Sequence, residues 1–396
     1  MISKRWQCLW MSLPELDFAQ GTVNKKARSV YMSFVGRALM LCNSTDIKKF
    51  SLSCDLLCDE LRISTWIFGT VRQNVEVLDL CLLLLTKPLI LILSLQMCCN
   101  LKLPSVISLS SFKIMTLTHV MFPDHAIDQL LSGCPILENL TLDECYWENV
   151  TSVSISGPTL RTLVVYDFLD DKNDCQVLVS GTMLKSFVYE GKLKRKYCLL
   201  DSPSLEDACI NVDGDQSKCA IQTCKLMRGL SNVNRLVMSS STNQALSQTK
   251  ESLDPLPMFH KLKHLEVNVE YLDMSYGALL DVLQNSPFLT YLEFTKGIDL
   301  EVDHWELDPI PPCFLTYLKV IKFGDFLGLE DERIVIRVLL QKAAVLERMT
   351  IHWSEEEFTG VEGFRQQMKV NAEVQVLPKS IKKLCYLSHL ANVAAL

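Results

Sequence analysis

Glycine and proline are sparse, 15 and 14 of 396 residues, which excludes collagen-like and glycine-rich chains. No two glycines stand two residues apart, so a GxGxxG dinucleotide loop is impossible. The phosphate loop GxxxxGK[ST], the nucleophile elbow GxSxG and the zinc-protease pair HExxH are absent too. The 16 cysteines, about 4% of the chain, fall below the density of a disulfide scaffold. They form no CxxC, and the groupings Cys54/Cys58, Cys98/Cys99 and Cys219/Cys224 lack zinc-finger spacing. Most sit in apolar runs, where a reduced thiol acts as a small hydrophobe in a reducing compartment. The seven histidines are scattered; His260 and His264 straddle the strand-like phrase FHKLKHLEV and read as surface residues. With no acid–base or nucleophile constellation, the chain is not expected to be an enzyme. No cofactor and no metal are expected.

An excess of positive charge is missing as well. The net charge is -7, which argues against nucleic acid as a partner, since such affinity comes from Lys and Arg neutralising phosphates. No apolar core of seven or more residues follows Lys4-Arg5, so the start is not read as a secretory signal. The sequons at Asn43, Asn139 and Asn149 are then chance matches. The apolar stretch Leu78 to Leu95 (LDLCLLLLTKPLILILSL) is nearly long enough to span a bilayer. Asp79 and the Thr86-Lys87-Pro88 break divide it into two short runs, which read better as two buried strands than as a membrane helix. No membrane partner is expected, and the location is intracellular, cytoplasm or nucleus.

What the chain has is 48% apolar residues against 21% charged, a folded composition, and a recurring phrase, LxxLxL. Clear copies begin at Leu137, Leu160, Leu262 and Leu289, and weaker ones at Ile47, Val75, Ile90, Phe112, Leu184, Leu205, Val233, Leu318 and Leu346. The steps between starts are 28, 15, 22, 25, 23, 24, 21, 28, 29, 27, 29 and 28 residues. All but the second lie in or close to the range of leucine-rich repeats. The fourth and sixth residues of each phrase share one face of a strand; one unit cannot bury that face, but stacked units can. The expected fold is therefore α/β: a leucine-rich-repeat solenoid, a curved parallel sheet with helical or irregular return legs. Helical legs are predicted over Asp124 to Ser132, ended by Gly133, over Tyr276 to Gln284, ended by Asn285, and over Ile334 to Ala343. The polar stretch Ser239 to Pro257 reads as a long loop. The acidic runs Glu330 to Glu332 and Glu355 to Glu357 are either solvated faces or helix N-terminal charges.

Positions two, four and six after the first apolar residue of each phrase point away from the core, onto the concave sheet face along which solenoids bind. Asp143, Tyr166, Glu190, Asn211, His264, Glu266, Tyr291, Glu293 and Lys322 stand at such positions. They form the candidate surface for an unknown protein substrate, with Tyr166 and Tyr291 as candidate anchors.

Three segments carry a family resemblance. Ile2 to Phe18 (ISKRWQCLWMSLPELDF) resembles the closing helix of a plant F-box. Pro123 to Cys145 (PDHAIDQLLSGCPILENLTLDEC) resembles a plant leucine-rich repeat in which LLSGCPxLExLxL recurs. Pro311 to Trp353 resembles the FBD domain that ends the same proteins. The implied organisation is an F-box remnant over 1–18, leucine-rich repeats over 19–304, FBD-like repeats over 305–387 and a tail over 388–396. The resemblance implies a substrate-recognition subunit of a Skp–cullin–F-box ubiquitin ligase, ubiquitin transfer being the work of partners. The alternative is a leucine-rich-repeat scaffold, or an inactive relative, with no ubiquitin role. A full F-box has about three helices and opens with an LPxxLL-type phrase, whereas here the likeness starts near the last helix. The adaptor-binding remnant is then Trp6, Leu9, Trp10 and Leu13, spaced as an apolar helical stripe expected to pack near Phe50 and Leu52. A Skp-type adaptor is expected to bind only if a full F-box is restored.

Overall fold

The computed structural model describes residues 13–19, 25–42, 47–55, 60–71, 75–83, 99–100, 111–123, 126–148, 150–169, 175–213, 216–248, 256–268, 277–295, 307–353 and 373–378. The chain divides into two compact units, Met1–Leu184 and Lys185–Leu396, each a stack of strand-plus-return-leg repeats.

In the first unit the sheet runs through β1 (Glu15–Ala19), β2 (Lys49–Asp55), β3 (Val77–Leu83), β4 (Ile114–Thr118), β5 (Asn139–Asp143) and β6 (Thr162–Asp167), in chain order and all parallel. In the second it runs through β7 (Ser186–Gly191), β8 (Asp207–Val212), β9 (Arg235–Ser239), β10 (His264–Asn268), β11 (Tyr291–Phe294), β12 (Val320–Phe326), β13 (Arg348–Trp353) and β14 (Glu373–Pro378), again parallel. Each of these strands except β1 and β14 grows from one of the thirteen phrases read from the sequence. The phrase at Ile90 lies outside the described residues. So does the whole second apolar run of Leu78 to Leu95; the first run supplies β3. Among the described residues no helix is long and apolar enough to cross a membrane.

Burial follows the pleat. In β5 and β10 the pattern alternates half-buried and buried along the strand. The fourth and sixth phrase residues point inward: Leu140, Leu163, Leu265 and Leu292 are all 0% exposed. Leu163 stands in register with Leu140, and Leu265 with Leu292. A parallel ladder buried on one face in this way fixes register, since a one-residue slip would turn every leucine outward.

The return legs are of two kinds. Helices α1 (Lys25–Leu41), α2 (Glu60–Val71), α3 (Ala126–Ser132), α4 (Gln216–Arg228), α5 (Ser240–Ser247), α6 (Gly277–Gln284), α7 (Pro312–Thr316) and α8 (Glu330–Lys342) make one kind. Short strands such as Ser152–Ser156 and Gln176–Ser180, which pair in parallel with each other, make the other. The predicted helices over Asp124 to Ser132 and Tyr276 to Gln284 are found as α3 and α6. The third starts earlier, because Glu330 to Glu332 forms its first turn.

Two readings are corrected. Ser239 to Pro257 is not loop throughout, since Ser240–Ser247 is helical, with Ser239 as its N-cap accepting from the Thr242 amide. Its inward face carries Thr242, Asn243, Ala245 and Leu246, and the two polar members hid the helical period. Glu15–Ala19 does not continue the F-box-like helix. Leu13-x-x-Leu16-x-Phe18 is itself an LxxLxL phrase, and it forms β1 with Leu16 and Phe18 buried.

Candidate functional site

Outward residues of β9 to β12 bring a polar cluster together in fixed geometry. His264, Tyr291 and Val320 stand side by side in one row across the strands. Glu266, Glu293 and Lys322 stand side by side in the next. Adjacent strands in a sheet lie about 4.8 Å apart, so neighbours in a row touch. The His264 and Tyr291 rings stack, with centroids 4.2 Å apart and planes within 18°. Tyr291 donates its hydroxyl to Glu293 Oε2 at 2.9 Å, and Lys322 Nζ reaches Glu293 Oε1 at 2.5 Å. Arg235, from β9, places Nη2 2.6 Å from Glu266 Oε2. The two carboxylates are thus each held by one cation, and the cations remain the more exposed members of both pairs.

The electrostatics follow from partial burial. Desolvation and the Arg235 charge pull the His264 imidazole down to about 4, so it is neutral near pH 7. Desolvation and the neighbouring Glu293 carboxylate push the Tyr291 phenol well above its ordinary range. His264 Nε2 is buried and has no hydrogen-bond partner among the described residues. His264, Glu266 and Glu293 offer ligand atoms within 4.8 Å of one another, a donor set that could hold a divalent ion. That set already carries Arg235 and Lys322. An ion would have to displace both cations, and with them in place the two carboxylate charges are balanced.

At β7 and β8, Asn211 Nδ2 donates to Glu190 Oε1 at 3.1 Å. Desolvation pushes the carboxyls of Glu190 and Asp207 above their ordinary range. In the first unit Asp143 stands beside Tyr166 in register, and desolvation likewise raises its carboxyl against the pull of His119. His119 and Glu144, both in the left-handed region with φ of 55° and 47°, pair across neighbouring strand ends at 3.2 Å.

The nine predicted face residues are therefore all half-buried on the open side of the sheet. His264, Glu266, Tyr291, Glu293 and Lys322 form one contiguous group in the second unit, and Glu190 and Asn211 form a pair there. Asp143 and Tyr166 form a pair in the first unit. Sequence reasoning missed Arg235. It stands at position two of the weak phrase opening at Val233, a signal available from the period but obscured by the polar stretch that follows. Of the adaptor-binding remnant, Trp6, Leu9 and Trp10 lie outside the described residues. Leu13 is 42% exposed, and Phe50 and Leu52 are buried; Phe50 packs edge-on against Phe18 of β1. Among the described residues Cys42, Cys134, Cys145, Cys175, Cys219, Cys224 and Cys313 are buried.

Residues 77–294 match a family described as FBD-associated F-box protein At5g56370, LRR repeats. Residues 306–351 match the family described as FBD. The chain is similar to F-box/LRR-repeat protein At4g14096 of Arabidopsis thaliana, 28% identical over 93% of this chain and 86% of that protein. It is also similar to the putative F-box/FBD/LRR-repeat protein At3g59240 of the same plant, 26% identical over 91% and 80% of the two chains.

Proposed function

The chain belongs to the plant FBD-associated F-box, leucine-rich-repeat family, whose repeats it matches over residues 77–294, and from that premise we propose that it recruits protein substrates for a Skp–cullin–F-box ubiquitin ligase. The observation that carries this reading is the open sheet face. It is long and repetitive, its side chains are pinned by charge pairs such as Arg235–Glu266 and Lys322–Glu293, and it holds a polar aromatic stack at its centre. Such a surface suits recognition of another protein, because little side-chain entropy is left to lose on binding. Nothing in it requires catalysis by this chain, and ubiquitin transfer falls to the partner subunits. Its place of action is intracellular, cytoplasm or nucleus, where those partners work.

Adaptor docking is a separate part of the proposal. The F-box likeness is confined to Ile2–Phe18, and Glu15–Ala19 is committed to the sheet as β1. For these 396 residues adaptor binding is expected to be weak, and to be recovered when about three helices of F-box sequence are fused upstream. The test is reconstitution of that fusion with a Skp-type adaptor, cullin and ubiquitin-charging enzymes, together with proteins captured on the chain from plant extract. Captured proteins should gain ubiquitin, and Tyr291→Ala should lower both capture and modification. Capture without ubiquitin transfer in the complete assembly would favour a scaffold. Capture indifferent to Tyr291→Ala would remove this face from the role.

A further inference from the structure

The open face of the second unit has three rows of side chains, and the middle row changes character along the sheet. From β10 to β12 it is charged, with Glu266, Glu293 and Lys322. From β7 to β9 it is apolar, with Val188, Cys209 and Val237 side by side in register. Val188 and Val237 are only 5% and 9% exposed although they point to the open side, so this stretch is a recessed floor.

Carboxylates border the floor. Asp207 stands two residues before Cys209 on β8, Glu190 two residues after Val188 on β7, and Glu266 follows Val237 across the ladder onto β10. Desolvation, joined by the charges of Glu266 and Glu190, pushes the Cys209 thiol to about 12. The cations near them are Arg235, held by Glu266 and in register beside Asp207, and Lys185, paired with Glu206. Among the described residues Glu190 meets the neutral amide of Asn211 and the further negative charge of Asp213. The border is therefore net negative around an apolar floor.

We propose that this floor docks an extended segment of a partner protein that presents a basic, an apolar and a second basic side chain at alternate positions. The spacing argues for it. Alternate residues of an extended chain lie about 6.8 Å apart on one side. The three rows of the sheet repeat at that same interval, because they too are alternate residues of strands. A segment aligned with β7 and β8 would set its apolar side chain on the Val188–Cys209 floor and one cation toward each of Asp207 and Glu190. The proposal rests on the reading of the open face as the recruiting surface, and specifies the chemistry it selects.

The experiment measures fluorescence anisotropy of two short labelled peptides titrated with the full chain. One carries Lys, Leu and Lys at alternate positions in a Gly/Ser/Thr background, and the other carries Glu, Leu and Glu. The lysine peptide should bind about tenfold or more tighter, with the advantage shrinking as salt rises. Glu190→Gln with Asp207→Asn should erase the preference. Glu190→Lys with Asp207→Lys should reverse it, which a variant that had merely unfolded would not do. Equal affinity for the two peptides, or a preference unmoved by the double substitutions, would overturn the proposal. If capture of extract proteins still depends on Tyr291 in that case, the recruiting role stands and only this chemistry falls. If the lysine peptide binds as expected but Tyr291→Ala leaves capture unchanged, the wider reading falls instead.

Discussion

Two buried polar side chains define opposite extremes of satisfaction. Glu332 is 1% exposed, yet its carboxylate accepts from the backbone N–H groups of Leu327, Gly328 and Leu329, the last two at 2.6 and 2.9 Å. It closes the start of α8 by turning back on the residues before it, as the N3 member of a capping box does. Glu332→Ala would orphan three donors at once and should cost about 2–3 kcal/mol, read as a lower urea midpoint at unchanged slope. Asn243 is the contrary case. It is fully buried in α5, and among the described residues neither its amide nitrogen nor its oxygen has a partner. Asn243→Leu is close in volume and removes two unsatisfied groups, so the chain should gain about 1–2 kcal/mol. A lower midpoint would show that the amide is serving a contact of its own. The sequence offered both roles for Glu330 to Glu332, solvated face or helix terminus, and could not choose. That choice depends on how the chain before Glu330 turns. Asn243 was invisible for a related reason, since an amide on a helix's inward face breaks the apolar period that identifies the helix.

At the scale of the elements, the strands were legible because each must bury two of its side chains, and burial leaves a mark with period two. The return legs were less so, yet their kind is written in repeat length. Steps of 27 to 29 residues, as from Leu205 to Leu318, enclose α4, α5, α6 and α7. The steps of 23 and 24 residues from Leu137 to Leu184 enclose short extended legs instead. The arithmetic is that of rise per residue. About 17 Å takes roughly 5 residues extended and roughly 11 in an α-helix, a difference close to the gap between the two classes of step. Strand pairing also fixes what the face can do, because it brings Arg235 and Glu266 into contact although they lie on separate strands. Their side chains are 35% and 12% exposed, so solvent screens the pair only in part. A double-mutant cycle of Arg235→Gln and Glu266→Gln should give a coupling of about 1–2 kcal/mol. The more exposed pair Lys185–Glu206, at 50% on both sides, should give about 0.5 kcal/mol or less. Equal couplings would mean that the face does not shield its charges from solvent.

Over the whole molecule, the consequence of laying ionisable groups on a half-buried sheet face is a stability that depends on pH in two opposed ways. His264 is held near 4 against an ordinary 6.5. The unfolded chain therefore takes up its proton first as the solution is acidified, and His264 contributes stability that is complete above about pH 6.5 and is lost as pH falls toward 4. Asp79, Asp143, Glu190 and Asp207 are all raised by desolvation. Their charged forms oppose folding, and the penalty they impose above their ordinary carboxylate range is relieved as pH falls through their raised values. The two effects act in opposite directions over the same mildly acidic window, so the chain as it stands should show a shallow profile. Separating them takes one substitution. His264→Phe keeps a ring to stack on Tyr291, removes the titration and eliminates the buried Nε2. With the histidine gone, the carboxylates act alone, and urea midpoints measured between pH 4 and 6.5 should rise for the variant on acidification relative to the parent, the two curves drawing together above pH 6.5. Parallel curves across that window would show that His264 does not titrate below its ordinary value, and that its ring is better solvated than its place between β9 and β11 implies.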